Sequence, residues 1–182
     1  MAKVYVCLVE GLEEVECLAV VDILRRGGVE VTLASMSGKQ GITGSHGITI
    51  RTDSLWSEAD CEKCDAIFLP GGMPGTAHLA EHVGLGKMIR KFQADGKVLA
   101  AICAAPSVLG KYGVLEGKRA TCYPGWEEKL LGAKVTREGV VRDGSVVTAR
   151  GLGFAIDEGL ELLKMLVGEE ISAQVKEAIQ HP

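Results

Sequence analysis

Wholly apolar runs of strand length alternate along the chain with stretches that repeat apolar residues at helical spacing. Residues 4–9 form the first apolar run. Residues 13–26 follow it, with Val15, Leu18, Ala19 and Ile23 near a 3.6-residue period. Gly27-Gly28 predicts the helix stop, because glycine takes the left-handed conformation that such stops use. The next strand is expected over 29–34. Residues 41–51 set Ile42, Ile48 and Ile50 among polar positions and predict a hairpin or edge excursion. Ala66–Leu69 reads as a buried strand running into Pro70-Gly71-Gly72, with helices expected over 75–80 and 85–94. Val98–Ile102 is another apolar strand, followed by a helix from about Ala104. Beyond it the pattern predicts a short strand over 119–122 and a helix over 126–131. Strands over 135–141 and 145–148 come next, joined by the turn Arg142-Asp143-Gly144. Helices over 154–167 and 169–179 end the chain.

Strands apolar on both faces, alternating with helices, describe a parallel sheet covered on both sides. There is no linker, repeat or Pro/Ser-rich tract, so residues 1–182 are expected to form one three-layer α/β domain. Ligands in such sheets bind beyond the carboxyl ends of the strands. The residues that follow Val9, Leu69, Ile102 and Thr148 are therefore the places to look for chemistry.

Composition narrows the picture. The 182 residues carry 20 Lys+Arg against 24 Asp+Glu, a net charge of −4. That leaves no cationic excess for phosphates and argues against a nucleic-acid partner. The 24 glycines are aperiodic, which excludes collagen-like and low-complexity readings. The apolar run after Lys3 is too short for a signal peptide and is closed by Glu10, Glu13 and Glu14. No stretch approaches a membrane span. A cytoplasmic protein with reduced thiols is expected, so the six cysteines read as separate thiols and not as a disulfide framework.

Three strand exits carry candidate chemistry. Cys103 ends an apolar strand where a helix is about to begin. It is either a buried small hydrophobe or a nucleophile raised above the sheet on a sharp turn. The small neighbours Ala100, Ala101, Ala104 and Ala105 permit such a turn, and a nearby helix N-terminus would favour the thiolate. Gly71-Gly72 offers backbone N–H groups to an oxyanion, or is an ordinary turn. Glu16 lies early in the first helix, where a solvated glutamate is common, and Glu13 and Glu14 are expected to be solvated ones.

A Cys–His hydrolase needs a histidine to take the thiol proton. Residue 104 is alanine, and His181 in the tail is the only histidine after Cys103. His78 and His82 are four apart, but lack further ligands at matched spacing, so no metal is expected. Cys61-Glu62-Lys63-Cys64 is a lone C-x-x-C that precedes a strand, whereas a thioredoxin-type motif would follow one.

Taken together, these segments resemble the ThiJ/PfpI superfamily, in the branch of the Parkinson-disease-associated protein deglycase and its bacterial relatives. The resemblance spans essentially the whole chain. It rests on residues 11–16 (GLEEVE), 22–26 (DILRR), 69–72 (LPGG), 100–106 (AAICAAP), 148–153 (TARGLG) and 167–170 (VGEE). It implies a flavodoxin-like, class I glutamine amidotransferase-like sandwich with a mostly parallel sheet, and usually a homodimer. It makes Cys103 the reactive cysteine and Glu16 its protonated partner, with the amides of Gly72 and Ala104 receiving an oxyanion. Gly71, Met73, Tyr123, Arg26, His46 and Leu152 are further pocket candidates. The sequence departs from the family at three of these. Tyr123 stands where the branch often has histidine, Leu152 where proline is common, and His46 where arginine often occurs.

The implied function is a cysteine-dependent, cofactor-free glyoxalase or deglycase acting on small reactive carbonyls such as methylglyoxal or their early protein adducts. The alternative is a redox-sensing or stress-response chaperone that works through oxidation of Cys103. A PfpI-type peptidase or amidotransferase-like hydrolase would need a histidine partner.

Overall fold

The computed structural model describes residues 1–182. In chain order the elements are β1 (Lys3–Leu8), α1 (Glu14–Arg26), β2 (Glu30–Ser35), β3 (Gly41–Thr43), β4 (Thr49–Arg51), β5 (Ser54–Leu55), α2 (Glu58–Glu62) and β6 (Ala66–Leu69). There follow α3 (Gly75–Glu81), α4 (Val83–Ala94), β7 (Val98–Ile102), α5 (Pro106–Lys111), β8 (Arg119–Ala120) and β9 (Lys134–Val135). The chain finishes with β10 (Val140–Asp143), β11 (Val146–Ala149), α6 (Ala155–Val167) and α7 (Glu169–Ala178).

Seven strands make one sheet in the order β10-β11-β7-β6-β1-β2-β5. All neighbours are parallel except β10 and β11, which pair antiparallel at one edge. Alternate residues of β1 show why both faces must be covered. Val4, Val6 and Leu8 join the core under α1 and α6, whereas Tyr5 and Cys7 join the core under α4 and α5. From β1 the chain steps outward to β2, then returns past β1 to β6 and continues to β7. The order therefore reverses between β1 and β6, and a crevice opens there at the carboxyl ends of the strands.

The sheet, the hairpin β3–β4 and the final two helices match the sequence pattern. At the first helix stop, Gly28 and not Gly27 supplies the left-handed conformation, with φ of +77°.

Two expectations fail. The helix expected over 126–131 is only a 3₁₀ turn at Glu127–Lys129. The strand expected over 135–141 splits into β9 and β10, and β10 runs on through Asp143, so the reversal falls at Gly144-Ser145. Both segments are short and polar, so the local pattern does not decide between states. No helix is long and apolar enough to cross a membrane.

Candidate active site

Three adjacent strands deliver the site. The exit of β1 leads into α1 and Glu16, that of β6 into Gly71-Gly72, and that of β7 into Cys103. Cys103 is one of two non-glycine residues with positive φ, at +63°. Its backbone is pinned on both sides: its N–H donates to Ala149 O at 2.9 Å, and its carbonyl accepts from Tyr123 N at 2.8 Å. A cysteine held in this sparsely populated region is the sharp strand-to-helix turn the sequence suggested. All six cysteines are free, and Cys103 alone is not buried.

Gly71 and Gly72 are required by what surrounds them. A Cβ on Gly71 would meet Glu16 Oε2 and the Cβ of Cys103. Gly72 has φ of +92°, and a Cβ there would meet the backbone of Leu12 and Glu13. The bare backbone lets the N–H of Gly72 act on the Cys103 sulfur, together with the N–H of Ala104.

Glu16 is 2% exposed and lies against the sulfur. Burial first, then the charge of Glu13, pushes its carboxyl up to about 7; the Cys103 thiol and the amides of Gly71 and Leu152 act in the opposite direction. Oε2 nevertheless closes no hydrogen bond. A buried carboxyl oxygen without a partner favours the neutral acid.

The sequence led us to expect a lowered thiol pKa, and the structure corrects this. Burial, followed by the charge and hydrogen bond of Glu16, pushes Cys103 up to about 12, against the two amides that lower it. Helix α5 begins only at Pro106 and has six residues, so it supplies little dipole at the sulfur. The two groups form one coupled unit. Glu16 gives up its proton near 7 while the thiol is held up to about 12, so the singly protonated pair is mainly carboxylate and thiol, and carboxylic acid with thiolate is its minor form.

Met73, Tyr123 and Leu152 stand about half exposed at the mouth of the site. The Leu152 amide leans toward Glu16, and the Tyr123 ring lies 3.4 Å from where a Cβ on Gly151 would sit.

Arg26 does not belong here. It lies ten residues beyond Glu16 on α1, about 15 Å along the axis, and pairs with Asp22 at 2.6 Å on the surface.

His46 also serves a different purpose. Its Nδ1 lies 3.1 Å from Glu14 Oε2 and 3.6 Å from Glu13 Oε1. Glu14 Oε1 also accepts the backbone N–H of His46 at 2.8 Å and of Ile48 at 3.2 Å. Burial opposes this charge, but those donors hold the Glu14 carboxyl below its ordinary value. Glu13 caps α1 by accepting the N–H of Glu16 at 2.6 Å.

Glu13 and Glu14 are therefore buried working groups, contrary to the solvated glutamates expected. With His46 they place three donor atoms within 4.8 Å of one another, and these are the residues that could hold a cation. His78 and His82 do not converge. His78 Nδ1 lies 3.0 Å from Glu10 O, and His82 caps α4 by accepting the N–H of Leu85 at 3.1 Å.

One buried acid escaped the sequence reading. Glu158 on α6 is fully buried, and neither carboxyl oxygen has a hydrogen-bond partner. Its spacing of three from Ala155 and four from Leu162, both buried, placed it on the apolar stripe of that helix.

A profile of the DJ-1/PfpI family matches residues 2–165. Protein DJ-1 homolog B of Arabidopsis thaliana is 41% identical over 175 residues, which is 95% of this chain but 40% of that protein. The chain thus spans about two fifths of that relative's length. A protein named deglycase in Pyrococcus abyssi is 34% identical over 168 residues, covering 90% of this chain and 99% of that one. The structure of oxidized Toxoplasma gondii DJ-1 superposes with a TM-score of 0.94 at 32% identity, covering 99% of this chain and 98% of that one.

Proposed function

This chain belongs to the DJ-1/PfpI family, and we propose that it is a cofactor-free glyoxalase or deglycase in which Cys103 and Glu16 act as one unit on small 2-oxoaldehydes. The observation that carries the reading is the pairing itself. The groups that govern ionisation of Cys103 are a buried carboxyl and two backbone amides, with no histidine among them. A hydrolase mechanism lacks its base here. A reaction that only relocates protons between neighbouring carbon and oxygen atoms does not need one.

In the reactive form the remaining proton sits on Glu16 and the sulfur is a thiolate. The thiolate adds to the aldehyde carbon of methylglyoxal, and the oxyanion so formed falls to the amides of Gly72 and Ala104. Glu16 protonates that oxygen, and its carboxylate then takes the hydrogen from the same carbon. Returning that proton to the neighbouring carbon, while the hydroxyl proton on the first carbon passes to the former ketone oxygen, leaves a lactyl thioester on Cys103. Water cleaves the thioester, releases lactate and restores the thiol. The sum is methylglyoxal plus water giving lactate, with no net oxidation. The Pyrococcus abyssi relative's name supports the deglycase form of the same chemistry. The purified protein should form lactate from methylglyoxal without added cofactor; production no faster than in buffer would contradict the reading.

A second reading is favoured by the exposure of this one thiol. The other five cysteines are buried, and the Toxoplasma gondii relative was captured oxidized. Under mild peroxide Cys103 should gain two oxygens before any other cysteine, as read by peptide mass spectrometry. Uniform oxidation across the six would refute a sensing role.

The protein is also proposed to pair with a second copy of itself. Val15 and Leu18 on α1, Ile48 on the adjoining hairpin and Ile156 on α6 leave large apolar side chains exposed near one another. Light scattering should give twice the chain mass of 19.3 kDa, and Leu18→Glu should return it to the monomer. A wild-type monomer would rule the pairing out.

A further inference from the structure

Met73 and Leu131 are large apolar side chains left about half exposed. Both line a groove of about 390 Å³ between α3, α5 and the 3₁₀ turn at Glu127–Lys129. Ala77, Ala80 and Trp126 complete its apolar wall, and neither Cys103 nor Glu16 lines it. The groove still begins close to the reactive site. Met73 follows Gly72 in the chain, and the hydroxyl of Ser107, another lining residue, donates to Ala104 O at 2.7 Å.

Its walls are fastened to one another. Lys111 Nζ and Tyr112 Oη both donate to Ala80 O, at 2.6 and 3.0 Å, which ties the end of α3 to α5. Gly110 of α5 meets the 3₁₀ turn so closely that a Cβ would come within 2.8 Å of Lys129 O and Leu131 N. The N–H of Trp126 donates to Tyr123 O at 3.1 Å, and the N–H of Tyr123 donates in turn to Cys103 O at 2.8 Å. A groove whose walls are already held takes a ligand with little ordering of its own side chains. Mostly apolar walls with a few placed polar groups, at this volume, are the usual character of a small-molecule site.

Charge narrows the kind of ligand. Lys111 and Lys129 line the groove against the single carboxylate of Glu128, a local positive excess in a chain of net charge −4. Neither ammonium meets a carboxylate. Lys111 is held by Ala80 O, and Lys129 Nζ lies 3.8 Å from the centre of the Trp126 ring. Each therefore keeps N–H donors for an anion. The contact of Gly110, next to Lys111, with the backbone of Lys129 sets both lysines along one seam of the groove.

We propose that this groove binds a small carboxylic acid with a flat apolar body. The body lies against Met73, Ala77, Trp126 and Leu131, and the carboxylate is taken by Lys111 and Lys129. An amine of the same shape would meet two like charges. The proposal rests neither on the protonation of Cys103 nor on turnover of any substrate.

The test follows Trp126 emission in the full chain carrying Trp56→Phe, which leaves Trp126 the single tryptophan of two. Two probes are titrated: 3-phenylpropionate and its uncharged counterpart 3-phenylpropan-1-ol. The acid should give a saturable change with Kd on the order of 1 mM or below, and the alcohol should bind at least about threefold more weakly. Lys111→Met combined with Lys129→Met should weaken the acid about tenfold and leave the alcohol unchanged, whereas Glu128→Gln should tighten the acid about threefold. Ala77→Phe puts a ring into the groove and should abolish binding of both probes. No saturable change up to about 10 mM acid, equal affinities for acid and alcohol, or an acid affinity that the lysine variants leave unchanged would each overturn the proposal. Undiminished binding in Ala77→Phe would place the ligand elsewhere and overturn it too. Trp56 packs edge-on against Tyr5 and His82, and phenylalanine keeps a ring there. If that background fails to fold, the indole N–H resonance of Trp126 in the wild-type chain carries the same titrations.

Discussion

Cys103→Ala is expected to remove lactate formation from methylglyoxal, with a loss on the order of 10³-fold or more in kcat/KM. The magnitude follows from the chemistry. Without the sulfur there is no covalent adduct, so the amides of Gly72 and Ala104 receive no oxyanion and Glu16 has no acidified carbon to work on. The other thiols cannot substitute. They are all buried, and burial pushes Cys17 and Cys61 up to about 12. The alanine should be well tolerated structurally, because the turn at residue 103 is fixed by backbone bonds to Ala149 and Tyr123 and not by the side chain. Turnover that survives this substitution would end the proposed mechanism.

Glu16→Gln is the second large effect, about 10²- to 10⁴-fold in kcat. The amide matches the carboxyl in shape and can fill the space beside Gly71 and Leu152, so binding should change less than kcat. What it lacks is a proton it can give and retrieve. The same change should make Cys103 easier to alkylate at neutral pH. The carboxylate charge is one of the causes that raise the thiol, and removing it lets the two amides act against burial alone. A faster-alkylated, catalytically poor enzyme separates proton transfer from nucleophile activation. Loss of both would mean that Glu16 mainly holds the sulfur in place.

How far these residues were legible in sequence depends on what each depended on. The strand exits were legible because β6, β7 and β1 beyond Lys3 are apolar and lead on to glycine or to Cys103 among small residues. Parallel topology then brings their carboxyl ends together whatever the intervening helices do. The roles of Glu13 and Glu14 were not, since their burial comes from the β3–β4 hairpin folding back to present His46 and the N–H of Ile48. That is a contact over more than thirty residues, which no local pattern encodes. Arg26 looked like a pocket residue only through its motif, and the rise of α1 carries it away. The thiol pKa was misjudged because position beside a helix start was weighed without burial or the neighbouring carboxyl. Glu158 was visible as a charge on an apolar stripe, but only the packing of α6 on α1 shows that nothing pairs with it.

The central claim is that Cys103 and Glu16 act as one unit: the Glu16 carboxylate holds the thiol up, and the thiolate forms when the shared proton sits on Glu16. Ultraviolet thiolate absorbance tests it most directly, taken as the difference between wild type and Cys103→Ala from about pH 5 to pH 10. The account predicts that wild type shows little Cys103 thiolate over this range, because burial and then Glu16 push the thiol up to about 12, and that Glu16→Gln, which removes that charge, brings the thiolate in at lower pH. The same thiolate absorbance in wild type and Glu16→Gln at every pH would contradict it.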